Sequence, residues 1–232
     1  MILVGSCPGG NVSNFITSIS RGNRELSVSM SAVTTTAAIF TTPANFAIWG
    51  SLYVGFLNRR AVDALQTLSI PVWDIFVTVF FLLGVPLVLG ILTTRYLPRL
   101  AKALNKPLQF LSILVFLLMV ILAFRQNLDL FMRYIKWILL IVFAHNGAAL
   151  ATGYFLGELS GLPRPDRRAI TIELGIQNSG LGLILLFNPN IFPPELQNGG
   201  MLFITAWWGI WHIISGLTAA IIFRYRSHKR GE

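Results

Sequence analysis

A chain of 232 residues that is 54% hydrophobic and 12% charged, with a mean hydropathy of +0.68, does not read as a soluble domain, where roughly 25% of residues carry charge. The net charge of +9 does not point to nucleic acid, because the basic residues fall between apolar runs rather than along one face. The single cysteine, Cys7, excludes an intrachain disulfide, and no Cys and His spacing suits a metal.

In chain order, Met1 to Ser20 reads as two short apolar pieces parted at Pro8-Gly9-Gly10. Leu26 to Val54 reads as a long span containing Pro43, and Ile75 to Leu97 as a second containing Pro86. Leu108 to Phe124 and Tyr134 to Gly157 follow. Arg168 to Phe187 is a span broken around Gln177, and Met201 to Arg224 is the last. Apolar stretches of about 20 residues suit transmembrane helices. The fold class is therefore an all-α polytopic membrane protein.

Orientation follows from the basic residues. With the C-terminus in the cytoplasm, the inner side takes Arg21, Arg24, Arg95, Arg99, Lys102, Lys106, Arg164, Arg167, Arg168, Arg224, Arg226, Lys229 and Arg230. Only Arg59, Arg60, Arg125, Arg133 and Lys136 fall outside. The expectation is an integral protein of the plasma (inner) membrane with a cytoplasmic C-terminus.

The run Glu173-Leu174-Gly175-Ile176-Gln177-Asn178-Ser179-Gly180 puts a carboxylate inside an otherwise apolar span. A charge there costs about 2.5–3.5 kcal/mol on insertion scales, so such a group usually serves an ion or substrate. Pro8-Gly9-Gly10-Asn11-Val12-Ser13-Asn14 is an interruption of the same character. Paired interruptions point to an inverted-repeat transporter fold with two broken, crossing helices and its site between them. On that reading, residues 1–57 end a first repeat with a broken helix and the next helix. Residues 70–125 and 131–226 form the second repeat, including the broken helix 168–187, and 227–232 form a cytoplasmic tail. Counting spans, about three helices of the first repeat are missing before Met1, which reads as a truncated chain or fragment.

The chemistry of the breaks suits sodium, a hard cation that prefers oxygen ligands. The second break offers the Glu173 carboxylate, the Gln177 amide four residues on, and carbonyls freed by unwinding. The first offers Ser13 and Asn14, and the next span presents Ser27 and Ser31 at helical spacing beside Thr34 and Thr35. Asn11 and Asn178 stand where half-helices begin, positions that favour an anionic group of the substrate. Blander readings stand beside these: close packing for the threonines, and a hydrogen bond to a neighbouring helix for His145.

The segments Gly5 to Asn14, Arg21-Gly22-Asn23 with Leu26 to Met30, and Glu173 to Leu181 resemble the fourth, fifth and ninth helices of the bile acid:sodium symporter family. The resemblance implies ten helices in a core and a panel domain. It implies one sodium held by Ser13, Asn14, Ser27, Ser31 and Glu173. A second would be held by Glu173, Gln177 and the carbonyls of Leu174 and Ile176, with a glutamine from a third helix that this chain lacks. The implied function is sodium-coupled symport of an organic anion, such as a bile acid, a keto acid or a pantoate-like carboxylate. Na+ is the coupling ion, no other cofactor is expected, and the partners are membrane lipid and the anion. A channel or membrane sensor, or an inactive fragment of a symporter, is the alternative. No catalytic pair is visible, so an enzyme is not expected.

Overall fold

The computed structural model describes residues 1–58, 71–126, 128–193 and 199–229. Arg59, Arg60 and Arg230 of the charge count lie outside the described residues, as do the last three of the tail 227–232 and part of the loop 188–200.

The described residues form α1 (Ile2–Ser6), α2 (Val12–Ile19), α3 (Arg24–Asn58), α4 (Val72–Val79), α5 (Val85–Tyr96), α6 (Pro98–Gln126), α7 (Leu128–Leu159), α8 (Arg164–Gly175), α9 (Ser179–Phe187) and α10 (Gly199–Lys229). A π-helical turn, Phe80–Gly84, joins α4 to α5 without interrupting the rod. It lies just before Pro86, whose missing N–H disturbs the ladder at that point. Among the described residues there is no strand, only an isolated antiparallel bridge between Gly9 and Gln177.

Among the described residues four helices are long and apolar enough to cross a membrane: Val72–Tyr96, Pro98–Arg125, Phe131–Leu159 and Gly199–Lys229. The chain is an integral membrane protein. Along α6, Phe110, Leu111, Ile113, Leu114, Leu118 and Ile121 are all more than half exposed. A face that apolar and continuous is stable against lipid and not against water. At 35 residues, α3 is about 52 Å long, but its serines and threonines make it too polar to join the four. The pieces α1, α2, α8 and α9, of 5, 8, 12 and 9 residues, are each too short to span alone.

One boundary differs from the sequence reading. Residues 98–107 were expected to be a loop before Leu108, yet α6 starts at Pro98 and runs through Pro107. Proline is tolerated at the first helical position, and Pro107 removes only one backbone hydrogen bond. Arg99, Lys102 and Lys106 follow near-helical spacing and are exposed, so they extend the helix rather than end it. Likewise Arg133 and Lys136 stand on the first turns of α7, not in a loop.

Two devices set the position of α8. Its start is stapled to the α2–α3 turn: the Asn23 N–H donates to the Pro165 carbonyl at 2.9 Å, and Asn23 Nδ2 donates to Asp166 Oδ1 at 2.8 Å. Asn23 Oδ1 also caps α3 by accepting from the Leu26 N–H at 3.1 Å. Along its length α8 packs closely on α7, where Gly153 and Gly157 form a small-xxx-small step. A Cβ at Gly153 would meet the Thr171 backbone, and one at Gly157 the Arg167 backbone. The core lies around α9, whose Leu181, Leu183, Leu185 and Leu186 are buried with Leu3, Phe46, Ile75 and Val79. A smaller cluster, Ile16, Ile172, Ile176 and Ala220, joins α2, α8 and α10 just beyond the break.

Candidate functional site

The two interruptions meet. The Gly10 N–H donates to the Ile176 carbonyl at 2.9 Å, and the Asn178 N–H donates to the Pro8 carbonyl at 2.8 Å. Each break thus satisfies backbone groups that the other frees. Helix α1 ends in extended backbone at Cys7 (φ −75°, ψ 151°), and α8 in extended backbone at Ile176 (φ −118°, ψ 106°). The glycines serve close approach here, not left-handed backbone: among the described residues positive φ is found at Arg21 and at Gly161 and at none of the break glycines. A Cβ on Gly9 would overlap the Glu173 carboxylate, and one on Gly10 would stand 3.2 Å from the Gln177 carbonyl oxygen.

Two further helix-end carbonyls are taken by neighbouring helices. Thr42 on α3 donates its hydroxyl to the Ser6 carbonyl at the end of α1, at 2.8 Å. Asn146 on α7 donates Nδ2 to the Gly175 carbonyl at the end of α8, at 2.7 Å, and its Oδ1 accepts from Ser215 of α10 at 2.5 Å. Asn146 is fully buried. Beside His145 in mid-span, Asn146 is a polar group expected to meet substrate or a neighbouring helix, and here it bonds two neighbouring helices.

Glu173 is 4% exposed. Its Oε2 accepts from Ser13 Oγ at 2.5 Å and from Ser27 Oγ at 3.4 Å, and its Oε1 accepts from Ser31 Oγ at 2.8 Å. Asn14 Oδ1 accepts from Ser27 at 2.8 Å and Ser31 at 3.3 Å. The carboxylate on α8, a serine and an amide on α2, and two serines on α3 therefore form one cluster presenting only oxygen. Among the described residues the hydrogen-bond partners of Glu173 are neutral hydroxyls. A buried carboxylate without a counter-charge is costly, and a cation among these oxygens offsets that cost. A hydroxyl that donates its single proton still has lone pairs to offer.

The other expected ligands sit differently. Glu173 and Gln177 are four residues apart, a spacing that shares one face on a helix, but α8 ends at Gly175 and Gln177 lies in the extended break beyond it, bridged to Gly9. Gln177 Oε1 is buried without a hydrogen-bond partner, an acceptor turned to no protein donor. The Ile176 carbonyl, which accepts from Gly10, has a second lone pair, and Leu174 lies half-buried on the last turn of α8. Asn178 caps α9, its Oδ1 accepting from the Leu181 N–H at 3.0 Å. Asn11 precedes α2, is exposed, and makes no side-chain cap. Thr34 and Thr35 are half-buried, and Thr34 Oγ1 donates to the Ser31 carbonyl. The hydrogen bond expected of His145 is not made by Nδ1, which has no partner. Its ring instead lies 5.0 Å from that of Trp208, which is wholly buried.

Residues 1–134 match the family model described as Sodium Bile acid symporter family. The chain belongs to that family. Across 99% of its length it is 26% identical to a Bacillus subtilis protein named uncharacterized sodium-dependent transporter YocS, of which it covers 65%. Across 80% of its length it is 31% identical to the rice protein named probable sodium/metabolite cotransporter BASS1, chloroplastic, of which it covers 42%. It is 29% identical to the mouse sodium-dependent organic anion transporter, over 99% of this chain and 57% of that protein. The chain thus spans about two fifths to two thirds of the length of these curated relatives. The sodium bile acid symporter match ends before the second break, whereas the bacterial and mouse alignments cover nearly all of this chain.

Proposed function

We propose that the chain is a sodium-coupled symporter of organic anions that works by alternating access. The observation that carries this reading is the position of Glu173: one buried carboxylate, at the crossing of two broken helices, ringed by three serine hydroxyls and an amide oxygen. The first sodium is held by Ser13, Asn14, Ser27, Ser31 and Glu173. The second is held by Glu173, Gln177 and the carbonyls of Leu174 and Ile176, and the unpartnered Gln177 Oε1 supports that assignment. Asn11 and Asn178, at the starts of α2 and α9, face the anion, a bile acid, keto acid or pantoate-like carboxylate.

The geometry supports such coupling. Ligands of one ion come from α2, α3 and α8, so sodium raises the stability of the crossed arrangement. If the anion binds the half-helix starts of that same arrangement, sodium raises anion affinity, and the anion raises sodium affinity by the same factor. Residues 1–57 and 131–226 form the core around the crossing, and 70–125 contribute the panel against which it rocks. The two triads α1-α2-α3 and α8-α9-α10 share one order, a broken helix followed by a long one, as an inverted repeat requires. The names of the relatives describe transporters, and the reading is accordingly not that of an enzyme. The basic residues at the start of α8 and the end of α10 support a cytoplasmic position for that side, in the plasma membrane.

Proteoliposomes carrying the chain test this. Radiolabelled taurocholate, pantoate or pyruvate is taken up against its gradient only when sodium is high outside. Glu173→Ala abolishes that stimulation and the binding of radioactive sodium to the purified protein. Sodium stimulation that survives in Glu173→Ala overturns the site. Uptake that neither concentrates nor saturates favours a channel. Sodium binding without uptake marks an inactive form.

A further inference from the structure

A second constellation lies away from the crossing, where α7 ends, α8 begins and α10 ends. Among the described residues, a cavity of about 320 Å³ is lined by Arg164, Arg167, Arg168 and Arg226, with Glu158 as the one carboxylate. Glu158 is already paired, its Oε1 accepting from Arg167 at 2.9 Å. The floor is a stacked ring pair, Tyr154 and Phe223, with centroids 6.3 Å apart and planes inclined by 11°. Arg167 lies over Tyr154 at 5.6 Å and Arg168 over Phe223 at 6.0 Å. Arg168 is buried and donates to the Ser20 carbonyl at 3.1 Å. These two arginines are held in place by rings and carbonyls, while Arg164 and Arg226 are exposed at the rim. Three guanidiniums at the start of α8, joined by that of Arg226 from the end of α10, attract an oxyanion.

The same ring pair and Arg226 also line a second hollow of about 270 Å³. Its other described walls are Leu150, Ala151, Ala219 and Ile222, with Thr171 beside them. Ala219 lies two turns along α10 from Arg226, or about 10 Å deeper into the membrane. An anion-attracting cavity thus shares Tyr154, Phe223 and Arg226 with an apolar groove whose other walls lie away from the charged end. A free phosphate fills only the first part, and a neutral lipid gains nothing from four guanidiniums. Both parts together match a molecule with a phosphate at one end and a hydrocarbon chain at the other.

We propose that this composite is a binding site for an anionic phospholipid, its phosphate among Arg164, Arg167, Arg168 and Arg226 and an acyl chain along Leu150, Ala151, Ala219 and Ile222. The lipid bridges α7, α8 and α10 and so steadies the helix that carries Glu173. It does not depend on the transport reading.

Native mass spectrometry of the purified chain, titrated with phosphatidylglycerol, phosphatidylcholine or inorganic phosphate, tests it. Phosphatidylglycerol binds at least tenfold tighter than phosphatidylcholine. Arg226→Gln and Arg164→Gln each weaken it about fivefold, the effect of one basic residue near an anionic lipid. Ala219→Phe, which fills the groove, weakens phosphatidylglycerol and leaves inorganic phosphate unchanged. Ile222→Asn, on an exposed side chain, gives the same result if the phenylalanine variant does not fold. Equal binding of phosphatidylcholine overturns the proposal. So does inorganic phosphate that binds as tightly as phosphatidylglycerol, or phosphatidylglycerol binding that no groove variant alters.

Discussion

The breaks at Pro8–Asn11 and Ile176–Asn178 bond to each other as equals, yet they are built from different parts. The first is a matter of shape. Gly9 and Gly10 leave room for Glu173 and for the Gln177 backbone, and no charge lies among Pro8, Gly9, Gly10 and Asn11. The second is a matter of chemistry: it follows the carboxylate, contains the unpartnered amide oxygen of Gln177, and is capped by Asn178. The neighbours differ in kind too, a threonine hydroxyl for the first and a fully buried amide linking two further helices for the second. The lesson is a division of labour. One break makes space for a charge that the other supplies.

That division can be broken in graded steps, read as unfolding of the purified protein in detergent. Gly9→Val forces a branched side chain onto the Glu173 carboxylate and is expected to cost about 3 kcal/mol, the upper end for overpacking. Unchanged stability would show that the crossing has slack, and that the first break is not shaped around the charge. Asn146→Ala leaves the buried Gly175 carbonyl and the Ser215 hydroxyl without their partner, with an expected loss of about 2 kcal/mol. Thr42→Val removes one neutral hydrogen bond while keeping the shape, an expected loss of about 1 kcal/mol. A larger loss in Thr42→Val than in Asn146→Ala would reverse the contrast between the two supports. Gln177→Met stands last: its Oε1 has no protein partner to lose, so stability should change by less than about 0.5 kcal/mol. Its effect should appear instead as weaker sodium binding, and a large loss of stability would assign Gln177 to the fold rather than to an ion.

Much of this is local and therefore legible in the chain. The breaks are visible because Pro8-Gly9-Gly10 and Gly175 to Gly180 interrupt apolar runs, and helix interruption is a property of neighbouring residues. Glu173 stands out because a carboxylate is expensive at that depth. Other features were written in the sequence but hidden by context. The step from Gly153 to Gly157 is an ordinary glycine pair until α8 is seen lying on it. Asn146 looks like one more polar residue until its amide is found on the Gly175 carbonyl. Residues 98–107 read as a loop between two spans, and only the continuous α6 reveals that a helix starts at Pro98 and runs through Pro107.

Composition and spacing by themselves determined that the chain crosses a membrane, that two helices are broken, and which side chains are costly enough to need a purpose. The tertiary structure alone decided that the two breaks bond to each other and that Ser13 meets Glu173 across 160 positions of chain. It also decided that Gln177 lies in the break beyond α8 rather than on its face. The reason is physical. Burial cost and backbone interruption are set within a few residues, whereas a hydrogen bond between distant segments depends on how closely their helices pack. Here that closeness is set by glycines whose neighbours lie far along the chain.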